Sequence, residues 1–318
     1  MKILIGYDGS ECAEAALQDL RRAGLPAEAE GLVMSIADVF VRLSINENVD
    51  NTFPMFVPAG IRRAHQHAAE AVAEARDVAE RAKTRLATNF PGWQLQSESS
   101  ADSPAWALIK RADHWKPDLI VVGSHGHTAM GGRVILGSVS QRVLYEAHSS
   151  VRVARGRAIV DEVPVRIVVG FDGSKNSKAA LDAIADRAWP KGSEVRLVAA
   201  LDTVFSVSVV PQEPEVLKWF DVSNENDLIS LRQIFEASAD KLRNVGLKVS
   251  VVLKKGDPKR LLIEEAESWK ADSIFVGAKG LRGIERLLLG SVSAAVAARA
   301  HCSVEVVRAK QKRIEGET

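Results

Sequence analysis

Short apolar runs alternate with amphipathic stretches along the whole chain. The first run, Ile3–Tyr7, ends at Asp-Gly and is typical of a strand that is buried on both faces. Between such runs, apolar residues recur with helical spacing, as in 11–22, 61–88, 104–115 and 137–147. The pattern predicts further strands at 32–37, 93–99, 119–123 and 151–154, and again near 166–171, 195–201, 247–253, 273–277 and 303–307.

The chain contains an internal repeat. The segment Lys2–Ser10 reappears as Arg166–Ser174, with Gly, Asp, Gly and Ser in the same places. Because repeated blocks in a conserved order indicate two copies of one unit, the chain should hold two similar domains. Two later blocks recur in the same order, 115–123 as 269–277 and 136–140 as 289–293.

The repeat and the strand–helix alternation together define a fold class. Alternation of this kind implies parallel strands joined by right-handed crossovers. We predict an α/β protein with two tandem, open-twisted, five-stranded parallel sheets that carry helices on both faces, in domains 1–156 and 163–309. The poorly periodic stretches 38–60 and 202–226 suit either functional lids or segments that cover a sheet edge, and both interpretations stay open.

Composition and charge narrow the function classes. The 318 residues include 42 Lys plus Arg and 41 Asp plus Glu, so no basic surface for nucleic acid is expected. The two cysteines, Cys12 and Cys302, form no disulfide framework or metal-ligand spacing, which suits a reducing compartment. With no leader-like start and no apolar run long enough for a bilayer, we predict a cytoplasmic protein without membrane contact.

The candidate chemistry lies in loops that follow strands. Gly277-Ala-Lys-Gly280 and Gly290-Ser-Val-Ser293 frame one such loop, and glycines let a backbone approach a phosphate closely. Gly290-Ser291 begins a helix whose free amides and positive dipole end favour an anion. The hydroxyls of Ser291 and Ser293 would add donors. A glycine turn with a serine cap and no ligand is the simpler alternative, but the pattern occurs twice, which favours the ligand.

Other residues at the same sheet edge suit a nucleoside. Asp8 and Asp172 follow the first strand of each copy and can accept a hydrogen bond from an adenine amino group or a ribose hydroxyl. Ser10 and Ser174, two positions later, are simply interpreted as helix caps. The ends of the second strands, around 36–38 and 200–202, are placed to wall a base.

These motifs resemble those of the universal stress protein family. The family's pattern is Gly, two residues, Gly, nine residues, Gly and then Ser or Thr, and Gly277, Gly280, Gly290 and Ser291 match it. The resemblance spans nearly all of both copies and implies adenine-nucleotide binding, with ATP or AMP as ligand and Mg²⁺ as a candidate companion ion. The implied contacts in the second copy are Asp172, Ala200, Gly277, Gly280, Gly290, Ser291, Val292 and Ser293.

The first copy departs from the family pattern. Ten residues, rather than nine, separate Gly126 from Gly137, so the phosphate loop is either bulged or spoiled. Ile36 is larger than Ala200 and could crowd the base. We therefore expect the second copy to hold the better site. By the resemblance, the first-copy contacts are Asp8, Ile36, Gly123, Gly126, Gly137, Ser138, Val139 and Ser140.

Two basic residues invite further interpretations. His125 and its counterpart Lys279 are candidates for a phosphate or ribose contact. The stretch His125-Gly-His127 lacks the cysteine or carboxylate partners of a zinc site, so no metal ligand is predicted. No catalytic triad motif is present, and no lysine precedes the serine as in a Walker loop.

The sequence allows three functions to be compared. The first is a nucleotide-binding regulatory protein of the stress response, with slow, incidental hydrolysis at most. The second is an interaction protein of the same family that has lost nucleotide binding. The third, a nucleotidyl transferase or ATP pyrophosphatase, needs signatures such as His-Ile-Gly-His that this sequence lacks. The resemblance further implies that the last strands, 151–154 and 304–307, pair within one chain as a pseudo-dimer. An unidentified protein partner and a further homodimer stay open.

Overall fold

The computed structural model describes residues 1–39, 59–125, 136–155, 163–201, 225–280 and 289–309. Gly126 and most of the two poorly periodic stretches lie outside the described residues. Among the described helices, none is long and apolar enough to cross a membrane.

The first half follows the predicted alternation of strands and helices. The expected helix at 11–22 ends at Asp19 and tightens into a 3₁₀ turn over Leu20–Arg22, ahead of Gly24, which has a φ of +64°. The elements are β1 Lys2–Gly6, α1 Glu11–Asp19, β2 Ala29–Ala37, α2 Ala59–Asn89, β3 Trp93–Ala101, α3 Pro104–Trp115, β4 Leu119–Gly123, α4 Ser138–Glu146 and β5 Ser150–Ala154.

The second half repeats that order. Its first helix begins after Ser174, as the first helix of the chain begins after Ser10. The elements are β6 Arg166–Gly170, α5 Lys175–Ala185, β7 Glu194–Leu201, α6 Glu225–Arg243, β8 Lys248–Lys255, α7 Pro258–Ser268, β9 Ser273–Gly277, α8 Ser291–Arg299 and β10 Ser303–Val307.

The ten strands of the described ranges form one sheet, in the order β3-β2-β1-β4-β5-β10-β9-β6-β7-β8. Within each half the five strands are parallel, which confirms the predicted α/β class. The halves join where β5 and β10 run antiparallel, with Glu305 opposite Arg152. The two last strands therefore pair within the chain, as the resemblance implied.

The two faces of this sheet are built differently at the junction. On one face an apolar cluster runs continuously through both halves, and it includes Val151, Val153, Val304 and Val306 of the paired strands. On the other face each half has its own core, one under α1 and α2 and one under α5 and α6. Successive side chains of a strand point to opposite faces of the sheet. Arg152 lies between Val151 and Val153, and Glu305 between Val304 and Val306, so both charged side chains lie on the second face, between its two cores.

A buried ion network fills that space. Arg152 donates to Asp19 at 2.6 Å and 3.2 Å and to Glu305 at 3.3 Å, and each of these three side chains is at most 8 % exposed. Arg187 also binds Glu305, and Ser303 donates to Asp19 at 2.6 Å. Burial works to lower the pKa of Arg152, but the two carboxylates outweigh it and hold the pKa above its usual range. Two cations therefore balance two anions across the junction.

Candidate functional site

The predicted site residues of the second half meet at the carboxyl edge of three neighbouring strands. Strand β6 lies between β7 and β9. The Phe171 amide donates to the Val198 carbonyl at 2.9 Å, which brings Asp172 and Ala200 to the same edge. Gly277 ends the strand on the other side of β6. This is the switch point of a doubly wound sheet, where ligands of such folds bind.

The loop after β6 is held by its own side chains. The Asp172 carboxylate accepts from the Ser174 amide at 3.0 Å, and the Ser174 hydroxyl oxygen caps α5 by accepting from the Ser177 amide at 3.2 Å. The Ser174 hydroxyl also donates to the Lys279 carbonyl at 3.3 Å. The loops after β6 and β9 are therefore tied together, a link that the sequence interpretation of Ser174 as a simple cap missed.

Glycine is required at the two motif positions of the β9 loop for different structural reasons. A Cβ on Gly277 would lie 2.6 Å and 2.7 Å from backbone atoms of Asn176 and Ser177, so glycine is needed there for the close packing of β9 on α5. A Cβ on Gly280 would lie 2.5 Å from a carboxylate oxygen of Asp172. Gly280 thus lets the β9 loop pass directly beside the acidic residue that was predicted to meet the nucleoside.

The first turn of α8 presents donors without a side-chain cap. Gly290 is the N-cap residue and provides no capping side chain, unlike Ser174 at the start of α5. The Gly290 amide donates to the Ala278 carbonyl at 2.7 Å, which fixes this turn beside the β9 loop. The first amides of a helix have no intrahelical acceptor, so this end favours an anion. Ser291 is exposed there, whereas Val292 packs partly against the shared core.

Ser293 differs from the expectation that its hydroxyl faces the ligand. The side chain is 3 % exposed, and its hydroxyl donates to the Gly277 carbonyl at 2.6 Å. Ser140 of the first half does the same, donating to the Gly123 carbonyl at 2.5 Å. These hydroxyls therefore fasten each helix to the preceding strand. What remains for an anion at these positions is the backbone amide.

The first half builds the same framework. Gly137 caps α4 without a side-chain bond, and its amide donates to the Ser124 carbonyl at 2.9 Å. Asp8 accepts from the Ser10 amide at 3.0 Å, as Asp172 does from Ser174. A Cβ on Gly123 would lie 2.9 Å from the Cys12 carbonyl oxygen. Ser138 is exposed and Val139 is partly buried against the core, like their counterparts in α8.

Three details separate the halves at this edge. Asp8 is exposed, whereas Asp172 is partly buried. Ile36 at the end of β2 packs against the core, where the second half has the smaller Ala200. His125 contacts the Ser124 hydroxyl at 3.1 Å through Nδ1, and its counterpart Lys279 offers its carbonyl to Ser174. Within the described ranges, no group of three His, Cys, Asp or Glu side chains could hold a metal ion.

Comparison with known proteins places the chain in a family. The sequence model of the universal stress protein family matches residues 1–155 and again residues 165–308. A universal stress protein of Mycolicibacterium smegmatis is 31% identical over 218 residues, which are 68% of this chain and 70% of that protein. Universal stress protein Rv1996 of Mycobacterium tuberculosis is 26% identical over 322 residues, covering 97% of this chain and 95% of that one.

A solved structure supports the same fold. The crystal structure of a universal stress protein from Archaeoglobus fulgidus matches with a TM-score of 0.63 at 20% identity, covering 97% of this chain and 98% of that chain. The fold and the two family matches define the class as a tandem α/β protein of the universal stress type. The chain belongs to the universal stress protein family, and it carries two copies of the family's domain.

Proposed function

We propose that this chain binds an adenine nucleotide, ATP or AMP, at the carboxyl edge of its sheet, with the more complete site in the second half. The uncapped first turn of α8, held beside the β9 loop by the bond from the Gly290 amide to the Ala278 carbonyl, carries this proposal. It gives phosphates a set of amide donors at a positive helix end.

The remaining groups suit a nucleoside. Asp172 lies beside Gly280 and at the level of Ala200, so a carboxylate acceptor and a small apolar wall stand on one side of the anion site. A Cβ on Gly290 would lie 3.3 Å from the Ala278 carbonyl oxygen and 3.8 Å from the Gly280 amide nitrogen. A larger side chain at Gly290 would therefore occupy the space between the helix and the loop. Mg²⁺ would accompany the phosphates, bound by them and by water.

The proposed role is regulatory. Nucleotide occupancy would alter the packing of domains 1–156 and 163–309 or the binding of a protein partner in the cytoplasm, without rapid phosphoryl transfer. The sequence lacks the lysine of a Walker loop, which supports this assignment. The alternative is a family member that acts as an interaction protein without nucleotide.

Identification of the released ligand tests the proposal. The purified protein is denatured and the supernatant is analysed by mass spectrometry for adenine nucleotides, and the refolded or ligand-free protein is then titrated with ATP and with AMP by calorimetry. Saturable binding of either nucleotide supports the proposal. A folded protein that binds neither at millimolar concentrations favours the interaction-protein alternative.

A further inference from the structure

An arginine follows the last strand of each half and reaches into the other half. The Arg155 amide donates to the Ser303 hydroxyl oxygen at 2.9 Å, and the Arg308 amide donates to the Ser150 hydroxyl oxygen at 3.1 Å. Each arginine therefore starts from a backbone position that is fixed on the opposite half. The sequence repeat signals both residues, because each directly follows a last strand.

The guanidinium groups continue across the junction to the ends of two helices. Arg308 donates to the Leu144 carbonyl of α4 at 2.7 Å and to the Ser149 carbonyl at 2.9 Å. Arg155 donates to the Ala297 carbonyl of α8 at 2.6 Å and to the Cys302 carbonyl at 3.5 Å. The two clamps use equivalent atoms in the two copies, so the arrangement is reciprocal.

These contacts give donors to free carbonyls at the carboxyl ends of α4 and α8. Carbonyls in the last turn of a helix have no intrahelical partner, and a cation there also interacts favourably with the helix dipole. Both arginines are largely buried, and burial lowers the pKa of both, that of Arg308 to about 10. With a pKa of about 10, Arg308 stays charged at neutral pH. All the partners given above for the two guanidinium groups are backbone carbonyls.

The same two helices begin at the proposed anion sites. Helix α4 runs from Ser138 to Glu146 and α8 from Ser291 to Arg299, about 14 Å each. Each helix would thus hold a phosphate at its amino end and the other half's guanidinium at its carboxyl end. The phosphate at the amino end and the guanidinium at the carboxyl end each interact favourably with the helix dipole, so both stabilise the same placement of the helix.

We propose that Arg155 is a positioning residue for the anion site of the second half and Arg308 for that of the first half. Each site is then completed from the opposite half, because nucleotide binding at the start of each helix is coupled to the arginine clamp at the end of that same helix. The inference rests on the proposed function. Because coupling is reciprocal, a bound nucleotide should also tighten the clamp at the far end of its helix.

The test uses the full chain with one site disabled. In a Gly137→Val background the first site is blocked, and Mg·ATP binding to the second site is followed by calorimetry for three further variants, Arg155→Ala, Arg155→Lys and Arg308→Ala. Arg155→Ala should raise the Kd about three- to thirtyfold, which lies in the upper part of the range of helix-end charge effects. Arg308→Ala is the matched control, since it removes the equivalent clamp of the other helix, and should change the Kd less than about twofold.

The outcomes separate the inference from the function it rests on. Arg155→Lys keeps the cation and should recover most of the affinity, which a purely steric role would not predict. Equal effects of Arg155→Ala and Arg308→Ala, or no effect of either, overturn the coupling while nucleotide binding stands. Absence of ATP binding by the wild type and by the Gly137→Val chain overturns both. Thermal unfolding of each variant checks that it is folded at the temperature of the titration.

Discussion

The two halves share the framework of the carboxyl edge of the sheet but differ in how the first loop of that edge is held. In both, the N-cap glycine of the fourth helix donates to the loop after the fourth strand, and a buried serine hydroxyl fastens that helix to the strand's last glycine. In the second half, Ser174 additionally binds the Lys279 carbonyl and Asp172 is partly buried. The repeated bonds mark what the fold requires, and the differences mark where one half has specialised.

At the junction of β5 and β10, by contrast, equivalent positions of the two halves carry different residues. Arg152 and Glu305 hold equivalent positions in β5 and β10 and lie opposite each other, so the charge differs where the pairing is symmetric. Two copies of β5 in that register would place two buried arginines together, which is strongly unfavourable. The halves are thus alike at the carboxyl edge of the sheet and complementary at their interface.

The largest expected effect comes from breaking that complementarity. Arg152→Met should lower the free energy of unfolding by about 3–5 kcal/mol, because Asp19 and Glu305 are left buried with fewer cations. Chemical denaturation measures the loss. Adding Asp19→Leu removes the carboxylate that has lost its arginine and leaves the Arg187–Glu305 pair. The double variant should therefore recover much of the lost free energy of unfolding. A loss below about 1 kcal/mol for Arg152→Met would show that water reaches the network.

A smaller effect distinguishes the glycines of the motif. Gly277→Ala should destabilise the chain by about 1–3 kcal/mol, because its Cβ would meet the backbone of α5. Gly290→Ala brings its Cβ to 3.3 Å from the Ala278 carbonyl oxygen, a tight contact that a shift of a few tenths of an ångström relieves, and should cost less, about 0.5 kcal/mol. The denaturant midpoints of the two variants measure the two losses of stability. Equal losses would mean that the two glycines serve the same structural purpose.

The smallest effect concerns the residue after the first strand, which is Tyr7 in one half and Phe171 in the other. The Tyr7 hydroxyl donates to Glu14 at 2.9 Å, and burial together with this bond raises the pKa of Tyr7 to about 12. The pKa of Tyr7 in the folded protein lies above its value in the unfolded chain. The stability that the Tyr7–Glu14 hydrogen bond contributes is therefore fully present below about pH 10 and is lost as the pH rises through about 12.

Tyr7→Phe isolates that contribution. The variant should lose about 1 kcal/mol of stability at neutral pH, the net value of one hydrogen bond, and less above pH 11. The difference in tyrosinate absorbance between wild type and variant should show a transition near pH 12. A transition near the ordinary tyrosine pKa of about 10 would contradict the assignment.

The strands and helices could be predicted from the sequence more readily than the junction. Runs such as Ile3–Tyr7 and the repeated Asp-Gly-Ser are local signals, so strands, caps and loop glycines could be recognised. The partners of Arg152 could not, because Asp19 and Glu305 are brought to it only by the register of β5 and β10. The buried bonds of Ser140 and Ser293 were missed for the same reason, since a Gly-Ser-Val-Ser sequence does not show where its hydroxyls point. The clamps of Arg155 and Arg308 had a signal in the repeat, but their targets lie on the opposite half.

Calorimetric titration of ATP into the wild type, Gly290→Val and Gly137→Val tests the central claim most directly. The two variants place the same branched side chain at the same N-cap position of α8 and α4, where the extended backbone accepts it. The wild type should bind ATP. Gly290→Val should lose at least tenfold in affinity at the tighter site, whereas Gly137→Val should keep that site intact. Unchanged ATP binding in a folded Gly290→Val protein would contradict the central claim.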